Sequence, residues 1–203
     1  MKRIAAWQEK QVVRLYQKGR SGLEVARSLH LSLSQVYDTL RRENIKRRES
    51  ADQNRLRFER SPLSFKFRER LSSKDQELLV ASLMLYYGEG AKTNTTVDFA
   101  NSDIFAVRLF LKFLRKICGV DEKRLRFYLY CFSDQNPRRL IDTWSKQLKV
   151  KRSQFTRPYV RVHVGRDGHR IMPQGVLHVR YSDKRLLEKI LFLSSRLIKN
   201  LSD

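Results

Sequence analysis

The chain holds little cysteine, little histidine and comparatively little acid, and it has no long apolar run. Its two cysteines, Cys118 and Cys131, lie far from any CxxC spacing, and His30, His163, His169 and His178 form no metal-ligand pattern with them. That spacing argues against a zinc ribbon or a disulfide scaffold, and both thiols read as small buried hydrophobes. No apolar run reaches the ~18 residues of a transmembrane helix, and the N-terminus lacks the apolar stretch of a signal peptide. The expectation is a cytoplasmic or nucleoid-associated protein with no membrane attachment. The shortage of acid is the most informative: 21 Asp plus Glu face 43 Lys plus Arg, a formal net charge of +22. Such a charge attracts polyanions. Because the basic residues are spread along the chain and interleaved with aromatics, nucleic acid is the expected partner, with a membrane surface a distant second and no small-molecule cofactor.

What is present suffices for a real core: 41% of the 203 residues are hydrophobic and 10% aromatic. That length fits one mid-sized domain or a small module joined to an ordinary one. Three parts can be distinguished. In residues 1–48, Ser21-Gly22-Leu23-Glu24 and Ser32-Leu33-Ser34-Gln35 both fit the capping box, so two short helices start about eleven residues apart. Preceded by a helix from Trp7 to Lys18, they make three helices with Val12, Leu15, Tyr16, Val25, Ala26, Leu29, Leu31, Val36 and Leu40 facing inward. This is the geometry of a helix-turn-helix. The stretch "LYQKGRSGLEVARSLHLSLSQVYDTLRR" also resembles the helix-turn-helix of resolvases and transposases, except that His30 stands where glycine is usual, at a cost of about 1 kcal/mol. The third helix would then enter the major groove, with Ser34, Gln35, Tyr37, Asp38, Arg41 and Arg42 as candidate DNA contacts. A small protein-docking module is the alternative.

Residues 49–72 are polar and basic without a sustained apolar period, and read as a linker; "FKFR" at 65–68 could order as an edge strand or lie along a phosphate backbone. Residues 73–203 alternate helix and strand: a helix from Ser73 through 87, strand 95–100, helix 103–117, strand 124–132, helix 136–148, strands 159–164 and 175–181, and a final helix from Asp183. Four strands and four helices imply a two-layer α+β domain with a four-stranded sheet. Strand periodicity of two sends Val97, Phe99, Leu125, Phe127, Leu129, Cys131, Val160, Val162, Val164, Leu177 and Val179 toward the helices. The other face keeps Thr96 and Asp98 with Arg124, Arg126, Tyr128, Tyr130, Tyr159, Arg161, His163, His178 and Arg180. Arg, Tyr and His offer planar donors and stacking surfaces, so this face is the second expected DNA surface.

One acid stands apart. "LMLYYGEGAK" at 83–92 ends a helix on Gly88-Glu89-Gly90, although a helix C-terminus prefers a cation. Glu89 could be a solvent-facing accident, could be balanced by Lys92, or could be balanced by a metal ion. "SLMLYYGEG" at 82–90 resembles the LAGLIDADG motif of homing endonucleases, and "VDFANSDIFAVRLFLKFLRKICGV" resembles the strand, turn and helix that follow it in many of them. The resemblance covers most of residues 78–203. It implies that the motif helix pairs with its twin across a two-fold axis, that Glu89 binds Mg²⁺ or another divalent metal near the scissile phosphates, and that this single-motif chain acts as a homodimer. Lys92 is a plausible phosphate neighbour, counted with Glu89 as a catalytic candidate. The expected function is site-specific, Mg²⁺-dependent cleavage of double-stranded DNA; the alternative is a non-catalytic transcription regulator of the same architecture. An RNA-binding sheet fits the exposed aromatics of strand 124–132 but lacks a recognisable RNP run and leaves the helix-turn-helix without a role.

Overall fold

Serine caps decide where the second and third helices begin. The computed structural model describes residues 4–162 and 172–202, and divides the chain into two compact units, Met1–Pro62 and Leu63–Asp203. In the first, helices α1 (Ala6–Gln17), α2 (Gly22–Leu29) and α3 (Leu33–Arg42) surround Val12, Tyr16, Val25, Ala26, Val36 and Leu40. Both capping boxes form. The Glu24 amide donates to Ser21 Oγ at 3.2 Å and the Ser21 amide to Glu24 Oε2 at 2.6 Å, and Ser32 and Gln35 repeat the exchange at 3.2 and 2.9 Å. Each exchange satisfies two backbone donors that a helix start leaves orphaned. Between α2 and α3, His30 takes the left-handed conformation at φ 54°, and its amide closes on the Ala26 carbonyl. A Cβ on Gly22 would lie 2.8 Å from the tip of the Tyr37 ring, so a larger residue there would displace that ring.

Where a linker was expected, the structure has more order. Ser50–Arg60 form α4, whose Gln53 donates to the Gly19 carbonyl at 3.2 Å and whose Arg60 meets Glu24 at 3.3 Å. Arg48 clamps the preceding turn: its guanidinium lies 4.0 Å over the Tyr16 ring and donates to the Tyr16 and Arg20 carbonyls. These ties are polar and α4 buries no residue, which is why no apolar period announced it. From Leu63 onward the chain belongs to the second unit. Phe65 is buried and bridges to Val120, while Ser64 donates to Asp183 Oδ2 at 2.6 Å and accepts from Tyr181. "FKFR" is thus partly core, through Phe65.

The second unit is a mixed α+β arrangement. Helices α5 (Ser73–Glu89), α6 (Ile104–Lys116), α7 (Pro137–Leu148) and α8 (Lys184–Ser202) accompany strands β1 (Val97–Asn101), β2 (Arg126–Phe132), β3 (Tyr159–Arg161) and β4 (Val176–Tyr181). Ser72 caps α5, Asp103 caps α6, and Asn136 with Pro137 at the first helical turn starts α7. The sheet order is β1-β4-β2-β3, antiparallel except for the parallel pair β2/β3. Phe99, Phe127, Leu129, Cys131, Leu177, Val179 and Tyr181 are fully buried in one core with Phe110, Phe113, Trp144 and Ile190 from the helices. The rings of Phe99 and Phe110 sit 4.6 Å apart, a tilted contact typical of well-packed aromatics.

Strand β3 departs from the expected alternation. Val160 and Val162, read as inward, are 44% and 72% exposed, and every residue of β3 is exposed. It is the last strand in the order, paired over three residues with β2, and alternation in sequence buries a residue only where a second layer covers it. Val164 lies outside the described residues.

The His30 geometry yields a prediction. His30→Gly relieves a left-handed residue with a Cβ and stabilises the fold by about 1 kcal/mol, seen as a higher midpoint in urea. A lowered midpoint would show that the His30 side chain contributes more than its backbone costs.

Candidate nucleic-acid interface

With one sheet face packed, the outward residues fall into rows set by strand register. Asp98, Arg180 and Arg126 form one row, Ala100, His178 and Tyr128 the next, and Val176, Tyr130 and Tyr159 a third, with Phe132 and Arg161 beyond them. The alternation expected for β1, β2 and β4 therefore holds, and it gathers residues up to 82 positions apart.

Asp98 organises the first two rows. Its Oδ1 meets His178 Nδ1 at 2.8 Å, and its Oδ2 accepts from Arg180 Nε at 2.8 Å. Burial works to raise the Asp98 pKa, but the hydrogen bonds and charges of His178 and Arg180 outweigh it and hold the carboxyl below its ordinary range. Tyr128 supports the same two side chains from β2: the Arg180 guanidinium lies 4.6 Å over its ring, and the His178 ring meets it edge-on at 5.5 Å. Toward β3, Tyr130 and Tyr159 stack at 5.2 Å, and Arg161 donates to the Tyr130 hydroxyl at 3.4 Å. Tyr159 is half exposed, so this stacked pair keeps a ring surface in solvent.

Two arginines of the expected face behave differently. Arg126 is exposed beside Arg180, with its guanidinium on the Lys123 and Leu125 carbonyls at 2.7 and 2.9 Å. Arg124 lies before β2 in a 3-10 turn, donates to the Ser182 carbonyl at 2.5 Å and rests over the buried Tyr181 ring. It holds the end of the sheet together. His163 lies outside the described residues.

Helix α3 shows a similar division. Ser34 is exposed, and Arg41 is largely exposed while pairing with Asp38 at 2.8 Å. Gln35 uses its side-chain oxygen in the capping box, and Tyr37 packs on Gly22 beneath the Arg47 guanidinium at 4.5 Å. Arg42 binds Glu9 of α1 at 2.8 Å, a fold contact. The structure separates the exposed Arg47 from its neighbour Arg48, which turns inward onto Tyr16.

Glu89 ends α5 on a hollow of about 590 Å³, which it lines with Asn101, Asp103, Gln174, Ala100 and Val176. Because Ala100 and Val176 belong to the outward rows, this hollow opens onto the same face as His178 and Tyr128. The two glycines beside Glu89 have different reasons. A Cβ on Gly90 would lie 2.4 Å from the buried Tyr86 ring, whereas one on Gly88 would meet nothing within 4 Å. Lys92 turns to the Gly88 carbonyl at 3.5 Å and so supplies the cation the helix end prefers. Asn101 and Asp103 each accept a backbone amide, at 2.8 and 2.7 Å. Glu89 makes no ion pair among the described residues, and no group of three potential metal ligands gathers among them.

Comparison of the chain with protein-family models, with curated proteins and with solved structures finds no match in any of the three. No helix of the described residues is long and apolar enough to cross a membrane.

The depressed Asp98 pKa implies a pH dependence of stability. A carboxyl with a lowered folded pKa contributes stability above its unfolded pKa of about 3.9, and loses it as pH falls through the lower folded value. Asp98→Asn should therefore reduce stability near neutral pH and flatten its decline between about pH 5 and about pH 2. Denaturant unfolding of both proteins across that range checks it; parallel curves would remove Asp98 from the acid response.

Proposed function

We propose that the protein binds double-stranded DNA as a homodimer and cleaves it site-specifically, with the second unit as a LAGLIDADG-like domain and α2–α3 as a helix-turn-helix. The observation that carries this reading is the outward sheet face. Its planar donors and rings, Arg126, Tyr128, Tyr159, Arg161, His178 and Arg180, stand in register beside a single acid. A merely solvated face has no need of this stacking and donor geometry. In the first unit, Ser34 and Arg41 of α3 are the residues most available to a groove, with Arg47 suited to a phosphate.

The dimer rests on α5. Val80 is 41% and Tyr87 49% exposed, and Ala81 and Gly88 beside them are also exposed. Helical spacing puts these residues on one apolar stripe, while Leu78, Leu83 and Tyr86 fill the chain's own core. Pairing two such stripes across a two-fold axis brings the Glu89 carboxylates toward each other.

One free carboxylate per chain is a poor cage for a metal on its own. It suits Mg²⁺ where a second Glu89, water and DNA phosphates complete the shell, because this ion binds few carboxylates and keeps oxygen ligands from substrate and solvent. When bound, the ion supplies an activated water and stabilisation of the leaving oxygen. Glu89 would hold the ion at the hollow, Lys92 would offer its ammonium to a neighbouring phosphate, and the sheet residues would hold the duplex.

Glu89→Gln is expected to abolish Mg²⁺-dependent cutting of DNA from the source organism while leaving duplex affinity within a few fold. A variant that cuts normally sinks the metal-ligand role. Wild-type protein that retains specific duplexes but never cuts them in Mg²⁺ would establish the non-catalytic regulator, and preference for single-stranded RNA in competition would overturn both. For the dimer, Gly88→Leu should leave the fold intact yet shift sedimentation toward the monomer, since the added side chain meets open space within one chain and a partner helix across the axis. An unchanged sedimentation profile would place the interface elsewhere.

A further inference from the structure

Arg180 is immobilised on two sides. Its Nε donates to Asp98 Oδ2 at 2.8 Å and its guanidinium carbon lies over the Tyr128 ring, 4.6 Å from the centroid. The terminal nitrogens Nη1 and Nη2 have no partner among the described residues, and the side chain is 38% exposed. A free arginine loses rotamer freedom when it binds; one already pinned at Nε and stacked has lost it in the fold. What remains is the planar pair of terminal donors, on a side chain of the outward row. That pair matches two acceptors side by side in one plane, as guanine presents with O6 and N7 in the major groove.

His178, two residues along β4, is held by the same two neighbours. Its Nδ1 faces Asp98 at 2.8 Å, and Tyr128 meets its ring edge-on. With Nδ1 committed to the carboxylate, Nε2 is the nitrogen left for a ligand. Asp98 is thus buttress to both side chains, from a different strand and some 80 residues away in the chain.

We infer that Asp98, Tyr128, His178 and Arg180 form a preorganised base-reading element in which Arg180 takes the O6/N7 edge of a guanine and Asp98 acts as the positioning residue. This rests on the reading that the sheet face binds duplex DNA. It goes further by assigning the recognised base edge and by giving Asp98, the acid within the register rows, a role. A phosphate contact would use the same charge, but it needs no carboxylate alongside, and an anion on a phosphate-binding face weakens it.

The experiment is selection of duplexes from a randomised library by the full chain, by Arg180→Lys and by Asp98→Asn, followed by titration of the best duplex with one guanine at a time changed to 7-deazaguanine. Circular dichroism at neutral pH confirms that each variant is folded. Wild-type protein should select a guanine whose 7-deaza form binds on the order of tenfold more weakly. Arg180→Lys, which keeps the charge and removes the fork, should lose that preference. Asp98→Asn, which keeps the shape and removes the anion, should blunt the same preference at the same position without weakening mixed-sequence binding. Variants that select the same bases as wild type overturn the inference and leave DNA binding standing, as does wild-type protein that binds duplex with no guanine preference. Wild-type protein that retains no duplex overturns the proposed function along with it. Should Asp98→Asn fail to fold, Arg180→Lys and the 7-deazaguanine titration decide the guanine contact, and Tyr128→Leu, which removes the stacking surface, decides preorganisation: an unchanged guanine preference in that variant overturns it.

Discussion

Burial of one sheet face against four helices is the constraint on which the rest of the second unit depends. Phe99, Phe127, Leu129 and Val179 are committed to the core with Phe110, Phe113 and Trp144. Once they are, side-chain alternation leaves no freedom over where Asp98, Tyr128, His178 and Arg180 point. A register slip of one residue in β4 would carry His178 and Arg180 into the core and expose Leu177 and Val179. The apolar core therefore does more than stabilise: it aims the polar face. The same constraint explains β3, which lacks cover and so exposes Val160 and Val162 along with Tyr159 and Arg161.

The distribution of acid follows from electrostatics. With a formal net charge of +22, the chain carries strong self-repulsion, and several of its carboxylates sit where they relieve it locally. Asp75 is buried between Arg68 and Lys116, at 3.1 and 2.5 Å, and Glu122 holds Arg115 at 2.5 Å. Glu89 lies at a helix end that already carries negative partial charge, and it has no cation on its carboxylate among the described residues. Lys92, three residues beyond, serves the helix carbonyl instead. A carboxylate left in this state is the feature of the hollow that a cation would stabilise, and its opening onto the outward rows brings it within reach of whatever the sheet holds.

Much of this was legible from local pattern. The capping boxes at Ser21 and Ser32, the left-handed His30, and the helices of the second unit all follow from signals within a few residues of themselves. Helix α4 was not legible, because Arg48, Gln53 and Arg60 attach it through polar contacts to residues 28 to 36 positions away. Arg124 and Arg42 carry the right charge for a DNA contact, and the structure adds a contact within the fold for each, one at Ser182 and one at Glu9. Charge is a property of a residue; availability is a property of its surroundings.

By itself the sequence determined the charge excess, the helix starts, and the two-faced character of β1, β2 and β4, since each is a local periodicity or a sum over residues. The tertiary structure decided the strand order β1-β4-β2-β3 and, through it, which outward residues become neighbours. Asp98 meets His178 and Arg180 only because β1 pairs with β4, and Tyr128 reaches both only because β2 flanks β4 on its other side. Pairing across 80 residues leaves no mark in any local window, because hydrogen bonds between backbones are indifferent to the side chains they align.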